Sequence, residues 1–161
     1  MLMNLVPYVV SVVIAEGAGI LGSVFTARSV SGWYATLSKP SWTPPGWLFG
    51  PVWTVLFALM GIAAGLVWEK RAIPGATLAL LAYAVQLLLN VLWSVLFFGF
   101  RRPDLAYLEI LALLVAIVVT TALFFRIDSR AGMLMLPYIA WVSFASFLNL
   151  AVWRMNGGDK F

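Results

Sequence analysis

The sequence predicts an all-α membrane protein: a bundle of five transmembrane helices with a structured loop between the first helix and the second. Two observations predict this class. Of the 161 residues, 63% are hydrophobic and only 10% are charged, which lies far outside the range of soluble domains. The charged residues divide the chain into five apolar blocks. Each block is long enough to cross a hydrocarbon core of roughly 30 Å as a helix, so residues 1–161 are predicted to form one transmembrane domain.

The predicted helices cover residues 4–27, 46–68, 73–99, 104–125 and 131–153. The first block is predicted to be a retained helix rather than a signal peptide, because Glu16 interrupts it and no Lys or Arg precedes it. Short charged links follow the second, third and fourth blocks. The first link, residues 28–46, is the long one, and it is predicted to form a lid.

The distribution of Lys and Arg predicts an orientation. With five spans, the first link, the third link and the C-terminal tail share one side and hold six Lys and Arg, against four on the opposite side. The positive-inside rule therefore favours an external N-terminus and a cytoplasmic C-terminus. Because no targeting segment is evident, a prokaryotic cytoplasmic membrane is the expected location.

The end of the first link has an unusual composition. Residues 39–53 read KPSWTPPGWLFGPVW, with four prolines and three tryptophans. Proline cannot extend a helix from upstream and biases the preceding residue towards extended conformations, which predicts an ordered, folded-back loop. Trp42 and Trp47 suit a membrane interface, where indole N–H groups find polar partners. An ordinary aromatic belt would explain these two tryptophans equally well.

Missing residue types exclude several kinds of chemistry. The chain has no cysteine and no histidine, which excludes disulfides, thiol catalysis, thiolate metal sites and the commonest metal ligand and general base. No metal site and no obligatory cofactor are therefore expected. The net charge of +4 comes from Lys and Arg scattered between apolar runs, which favours lipid headgroup contacts over nucleic acid.

Aromatic and amide side chains recur at helical spacing in three of the blocks. At 100° per residue they occupy one face of each helix, within a sector of roughly 60° in the third block. The stripes are Phe49, Trp53 and Phe57; Gln86, Asn90, Trp93 and Phe97; and Tyr138, Trp141, Ala145 and Asn149. Buried amides are costly in a membrane unless they find partners, so these faces should point into the bundle. They would either line a ligand site or bond the helices together.

Small residues four apart predict close helix contacts. The pairs are Ala15 with Gly19, Ala18 with Gly22, and Gly61 with Gly65. Such pairs let two helices approach closely. The sequence leaves open whether they form a dimer face or contacts within one chain.

Three blocks of sequence together resemble a known family. In chain order, the blocks read WYATLSKPSWTPPGWLFGPVWTVLFALMG, QLLLNVLWSVLFFG and LPYIAWVSFASFLNLAVWR. They are similar to motifs of the TspO/MBR family, which comprises the tryptophan-rich sensory proteins and the translocator proteins or peripheral benzodiazepine receptors. The resemblance covers essentially the whole chain. It implies a five-helix bundle, usually a homodimer, whose pocket beneath the first link binds porphyrins. In some members it also binds sterols and synthetic isoquinoline or benzodiazepine ligands.

The resemblance also implies which residues bind the ligand. Carried over position by position, the family pocket falls on Tyr34, Pro44, Trp53, Phe57, Asn90, Trp93, Ser94, Trp141 and Ala145. Some bacterial relatives are associated with light- and oxygen-dependent breakdown of protoporphyrin, which would make Trp53 and Trp141 catalytic. The sterol pattern departs at Leu150, where the family has a tyrosine, so sterol binding is not favoured.

The leading functional hypothesis is a tetrapyrrole-binding membrane receptor that acts as a sensor or regulator. Metal-free protoporphyrin IX is the expected ligand, because no histidine or cysteine is present to ligate haem iron. Its propionates would reach Lys39 or Arg28 near the interface. Two alternatives stay open, an enzyme for photo-oxidative porphyrin degradation and a transporter of porphyrins or sterol-like lipids. The short chain and the lack of a visible inverted repeat weigh against the transporter.

Overall fold

The computed structural model describes residues 5–157, and within this range five helices are long and apolar enough to cross a membrane. The all-α prediction is thereby confirmed. In chain order the helices are Val6–Val30 (α1), Trp33–Thr36 (α2), Gly46–Glu69 (α3), Ala76–Ser94 (α4), Pro103–Ile127 (α5) and Ser129–Met155 (α6). A single π-helical segment, Val95–Gly99, continues α4. The short helix α2 lies in the long link between the first two spans.

The residues at the helix starts explain most of the boundaries. Pro7 occupies the first turn of α1 and Pro103 that of α5, where the missing N–H group is not needed. Pro45 immediately precedes α3. Gly75 precedes α4 with φ of 93°, a left-handed conformation that glycine adopts at little cost. Asp128 precedes α6, and its carboxylate accepts a hydrogen bond of 2.8 Å from a backbone N–H in the first turn.

The first span is longer than predicted at its link end. α1 extends to Val30 instead of ending at residue 27. The reason is Ser29, which is buried and whose hydroxyl donates a hydrogen bond of 2.7 Å to the carbonyl oxygen of Phe98. Phe98 belongs to the π-helical segment, where the amide of Phe100 reaches back five residues to the carbonyl oxygen of Val95 at 2.8 Å. The end of α1 is thus fastened to the end of the third span.

The other boundaries shift by smaller amounts. α3 ends at residue 69 rather than 68, and α4 begins at residue 76 rather than 73 because Pro74 and Gly75 form a turn. α5 covers residues 103–127 instead of 104–125, and α6 covers 129–155 instead of 131–153. Asp128 alone therefore connects α5 to α6. The link predicted as residues 28–46 comprises residues 31–45, with α2 inside it.

Small residues hold α1 tightly against α3. A Cβ atom placed on Gly61 would lie 2.5 Å from the Cα atom of Val12, and one on Gly65 would lie 2.8 Å from the ring of Tyr8. Both distances are shorter than any ordinary carbon contact. Gly61 and Gly65 therefore form a contact between helices of one chain rather than a dimer face. The homodimer stays a prediction.

The core lies between α3, α4, α5 and α6. Tyr83 of α4 stacks on Phe124 of α5 with ring centroids 5.8 Å apart, and both side chains are buried. At the end of the bundle remote from the link, the Asp128 carboxylate forms ion pairs of 2.9 Å with both Arg130 and Lys70. Hydrogen bonds from these two cations hold the pKa of Asp128 well below its usual range.

The link folds back over the bundle and is bonded to it. The backbone N–H of Ser38 donates to Oδ1 of Asn156 at 2.9 Å, and Nδ2 of Asn156 donates to the carbonyl oxygen of Ser38 at 2.9 Å. Asn156 follows the last turn of α6. The Trp42 ring packs edge-on against Phe144 of α6 with centroids 5.7 Å apart. Trp47, in contrast, is 73% exposed, as expected for a side chain at a membrane interface.

Candidate functional site

A cavity of about 360 Å³ lies beneath the link, between α1, α3, α4 and α6. Its volume falls in the range typical of small-molecule sites. Eight of its 24 lining residues are aromatic. The aromatic residues that line it are Tyr34, Phe49, Trp53, Phe57, Trp93, Phe97, Phe98 and Trp141.

The α3 wall follows from the spacing of its aromatic residues. Phe49, Trp53 and Phe57 recur every four positions, so all three project from one face of the helix. The Trp53 ring lies 5.6 Å from Phe57 and 6.5 Å from Trp141, measured between centroids, and it is perpendicular to the Trp141 ring. Tyr138 lies behind Trp53, with centroids 6.2 Å apart. The two indoles thus form a corner of the cavity wall.

Hydrogen bonds between α4, α5 and α6 fix the polar part of the wall. Nδ2 of Asn90 donates to the hydroxyl of Tyr138 at 2.8 Å. The indole N–H of Trp93 donates to Oδ1 of Asn149 at 3.0 Å, and Nδ2 of Asn149 donates to the carbonyl oxygen of Pro103 at 2.8 Å. The amides therefore bond the helices together, which was one interpretation of the polar stripes. Asn90 and Asn149 also line the cavity, which was the other. The two interpretations do not exclude each other.

Trp141 provides a hydrogen-bond donor that the described residues leave unused. Its indole nitrogen is buried and has no hydrogen-bond partner among residues 5–157. Its ring lines the cavity between Trp53 and Phe144. A buried donor without a partner costs about 1–3 kcal/mol.

Helix α1 forms a wall that the sequence analysis did not assign to the site. Gly19 and Gly22 leave room for side chains of neighbouring helices: added Cβ atoms would lie 2.6 Å from the Phe57 ring and 3.0 Å from the Ser94 hydroxyl. Ser23 and Thr26 also line the cavity, but their hydroxyls donate to carbonyl oxygens of α1 itself. The spacing of the small residues alone predicts packing contacts, and the signal for a cavity wall is that Glu16, Ser23 and Thr26 lie on the same helix as Gly19 and Gly22.

The cavity opens sideways between α1 and the first turns of α3. On α1, the lining residue Ile20 is 63% exposed. On α3, the lining residues Gly46 and Gly50 are exposed, and a Cβ atom on either would meet nothing within 4 Å. The two helices, which touch at Gly61, therefore separate towards the link. This opening faces the side of the bundle that lipid covers in a membrane.

The link closes the cavity at its other end. Tyr34 of α2 lines the cavity, and burial raises the pKa of its phenol. The ammonium group of Lys39 donates to the carbonyl oxygens of Tyr34 and Leu37 at 2.8 and 3.0 Å, and it lies 4.7 Å from the Tyr34 ring centroid. A positive charge is thereby held beside the link end of the cavity. Arg28 is exposed and does not line the cavity.

Eight of the nine predicted ligand-binding residues line the cavity. They are Tyr34, Trp53, Phe57, Asn90, Trp93, Ser94, Trp141 and Ala145. Pro44 does not, because it lies in the extended end of the link just before Pro45, which caps α3. Gln86 and Tyr138 of the predicted stripes are fully buried in the core rather than on the cavity. That these residues bind a ligand stays a prediction.

Comparison with known proteins places the chain in a family. The model of the TspO/MBR family matches residues 9–154. The chain belongs to the TspO/MBR family. It is 42% identical over 154 residues to the tryptophan-rich protein TspO of Archaeoglobus fulgidus, covering 96% of this chain and 99% of the relative. It is 40% identical over 144 residues to the human translocator protein, covering 86% and 85%. A tryptophan-rich sensory protein of Cereibacter sphaeroides is 39% identical over 124 residues, or 77% of each chain.

Membership of the TspO/MBR family agrees with the five apolar spans, and the chain is an integral membrane protein. It also supports a sensory or regulatory role at a membrane. The orientation of the spans stays a prediction. The next question is therefore which molecule the cavity receives.

Proposed function

We propose that this TspO/MBR protein binds a metal-free porphyrin of the protoporphyrin IX type in the cavity beneath the link and acts as a sensor of it. The observation that carries the proposal is the aromatic wall. Eight aromatic side chains from α2, α3, α4, the π-helical segment and α6 surround one cavity. A flat apolar macrocycle gains most from such a wall, because it stacks on indole and phenyl rings over its whole area.

The charge at the link end supports an anionic amphiphile. Lys39 does not line the cavity itself but lies beside the lining residue Tyr34, and it uses two of its three ammonium donors on backbone carbonyls. The third donor would serve a propionate that extends past the Tyr34 ring. A charge-assisted hydrogen bond of this kind is about twice as strong as a neutral one. The macrocycle would then lie between the helices with its propionates under the link.

The same geometry supports a regulatory readout. A ligand in the cavity would contact α1, α3, α4, α6 and the link at once. The link is bonded to the end of α6 through Ser38 and Asn156, so its position depends on both the bundle and the ligand. The occupied and empty states would differ in how firmly the link is held, and a partner protein could recognise that difference.

A protoporphyrin IX titration of the purified protein tests the proposal, with porphyrin absorbance as the readout. Trp141→Ala removes one face of the cavity and is expected to weaken binding by about tenfold or more, given about 1.5–3 kcal/mol for a buried aromatic contact. Trp47→Ala is the matched control, because Trp47 is 73% exposed and does not line the cavity. Linear, unsaturable titrations that are the same in all three proteins would refute the porphyrin site.

A second candidate function is photo-oxidative porphyrin degradation, and the arrangement of Trp53 and Trp141 favours it. The two rings line the cavity with centroids 6.5 Å apart, and Tyr138 lies 6.2 Å from Trp53. A photoexcited porphyrin held against them could take an electron from an indole or pass energy to oxygen, so that positioning supplies the catalysis.

Illumination in air separates the two functions. If the protein is an enzyme, the porphyrin absorbance should fall and a new product should form. Trp53→Phe and Trp141→Phe should abolish this fall in absorbance while the variants keep part of their affinity for the porphyrin. The sensor predicts stoichiometric binding with no loss beyond a protein-free control. Porphyrin flux through protein-containing vesicles would instead favour the transporter.

A further inference from the structure

Glu16 is the charged residue of the cavity wall. Of the described residues that line the cavity, Glu16 alone carries a formal charge. It is partly buried and lies near the middle of α1, and it is the α1 lining residue farthest from the link. Val30, the lining residue nearest the link, is about 21 Å away along the helix axis at about 1.5 Å per residue. Glu16 therefore marks the membrane-buried end of the cavity.

No described residue pairs with this carboxylate. Three other carboxylates have partners: Glu69 accepts a hydrogen bond from Tyr8, Asp104 pairs with Arg102, and Asp128 pairs with two cations. Glu109 has no hydrogen-bond partner among the described residues either, but it does not line the cavity. Within residues 5–157, Glu16 makes no hydrogen bond and no ion pair. Farther along the same helix, the hydroxyls of Ser23 and Thr26 donate to carbonyl oxygens of α1.

An unpaired carboxyl group in an apolar span is costly, and the cost is reduced when a donor reaches it. On the α3 wall, the hydroxyl of Thr54 donates to its own helix at Gly50, and Trp53 contributes an indole N–H. The free volume beside Glu16 is the cavity itself, so a ligand that fills the cavity can bring a donor to the carboxyl group.

We propose that Glu16 is a specificity-determining residue that selects flat apolar ligands carrying a cationic nitrogen or another N–H donor at the end remote from the link. This inference rests on the proposed role of the cavity as a ligand site. Lys39 places a positive charge behind the lining residue Tyr34 at the link end, whereas an ionised Glu16 would repel anionic groups at the other end. The cavity thus distinguishes the two ends of a ligand. A porphyrin would be held with both propionates under the link.

Two flat tricyclic probes test the inference. 9-Aminoacridine is cationic and has N–H donors, whereas anthracene has the same fused rings and neither feature. Binding is measured by probe fluorescence in neutral detergent micelles, so that no anionic lipid attracts the cation. Glu16→Gln keeps the shape of the side chain and removes the charge. Glu109→Gln is the matched control, since Glu109 is a carboxyl group within a span that does not line the cavity.

We expect Glu16→Gln to weaken 9-aminoacridine binding about tenfold, or about 1.4 kcal/mol, and to leave anthracene binding unchanged, because the variant loses a charge-assisted hydrogen bond to the cation. Glu16→Asp, which retains the charge, should stay within about threefold of wild type. Anthracene binding reports whether each variant is folded. Equal 9-aminoacridine affinity in wild type and Glu16→Gln, or no saturable binding to wild type, would overturn the inference, as would a parallel loss of anthracene binding.

Protoporphyrin IX is titrated into the same variants to separate the two proposals. If the porphyrin fails to saturate while 9-aminoacridine depends on Glu16, the porphyrin proposal fails and the role of Glu16 stands. If the porphyrin saturates and 9-aminoacridine ignores the Glu16→Gln change, the role of Glu16 fails and the porphyrin proposal stands.

Discussion

Substitution of Gly61 by alanine should force α1 and α3 apart. The added Cβ atom would lie 2.5 Å from the Cα atom and 2.8 Å from the backbone nitrogen of Val12, so no side-chain rotation can relieve the clash. Carbon atoms pack at about 3.5–4.0 Å, and the helices must therefore separate locally by about 1 Å. Overpacking of this kind costs about 1–3 kcal/mol, against a gain in helix propensity of up to about 1 kcal/mol.

Gly17→Ala is the control that isolates the steric term. Gly17 lies on α1, the helix that contacts α3 at Gly61, but a Cβ atom on Gly17 would meet nothing within 4 Å. It should therefore be neutral or slightly stabilising. Gly65→Ala should fall between the two, because its Cβ atom lies 2.8 Å from the ring and 3.0 Å from the Cα atom of Tyr8.

Thermal unfolding in detergent, followed by tryptophan fluorescence, gives the ranking. A difference of about 2 kcal/mol between Gly61→Ala and Gly17→Ala corresponds to a gap of about 4–8 °C in Tm for a chain of this size. Equal melting temperatures for these two variants would refute the close contact of α1 with α3. Any widening at Gly61 should also enlarge the side opening of the cavity, which a change in porphyrin affinity would reveal.

Three further predictions concern the ends and the polar core of the bundle. Asp128→Asn keeps the cap of α6 but loses the ion pairs. Because folding lowers the pKa of Asp128, the wild-type protein should lose stability as the pH falls below about 4. The variant should lose less stability between pH 7 and pH 3, which melting curves at the two pH values measure. Asn156→Ala removes two hydrogen bonds to Ser38, so the link peptide should exchange its amide hydrogens faster, with helix peptides unchanged. Asn149→Ala leaves the indole N–H of Trp93 without its hydrogen-bond partner. The variant should therefore have a free energy of unfolding lower by about 1–3 kcal/mol and a shifted tryptophan emission. An unchanged emission spectrum would contradict the hydrogen bond between Trp93 and Asn149.

The aromatic cavity and the polar bonds behind it have separate roles. The side-chain amides of Asn90 and Asn149 form hydrogen bonds with groups on other helices. The hydrogen bond from the indole N–H of Trp93 to Asn149 orients the Trp93 ring without any ligand. Trp141 and Glu16 have no partner among the described residues. The satisfied groups therefore give the cavity its shape. The proposal for porphyrin binding rests on the aromatic wall, and the proposal for Glu16 rests on an unpaired carboxyl group that lines the cavity.

The sequence by itself determined the five spans and the face of each span that turns inward. Length and hydropathy set the spans, because an apolar run in a bilayer must satisfy its backbone within one helix. Spacing of aromatic and amide residues placed Trp53, Asn90 and Trp93 on inward faces, since a helical period is a local property of the chain. The family motifs added Tyr34 and Ser94, which also line the cavity.

Only the tertiary structure decided which faces meet and what remains unpaired. Gly61 and Gly65 of α3 serve a close contact with α1, whereas Gly19 and Gly22 of α1 belong to the cavity wall and accommodate the Phe57 ring and the Ser94 hydroxyl. Pro44, although it lies in a family motif, is held outside the cavity by the start of α3. The exposure of Glu16 to the cavity depends on where four helices diverge, and such distances between segments are set by packing rather than by local sequence.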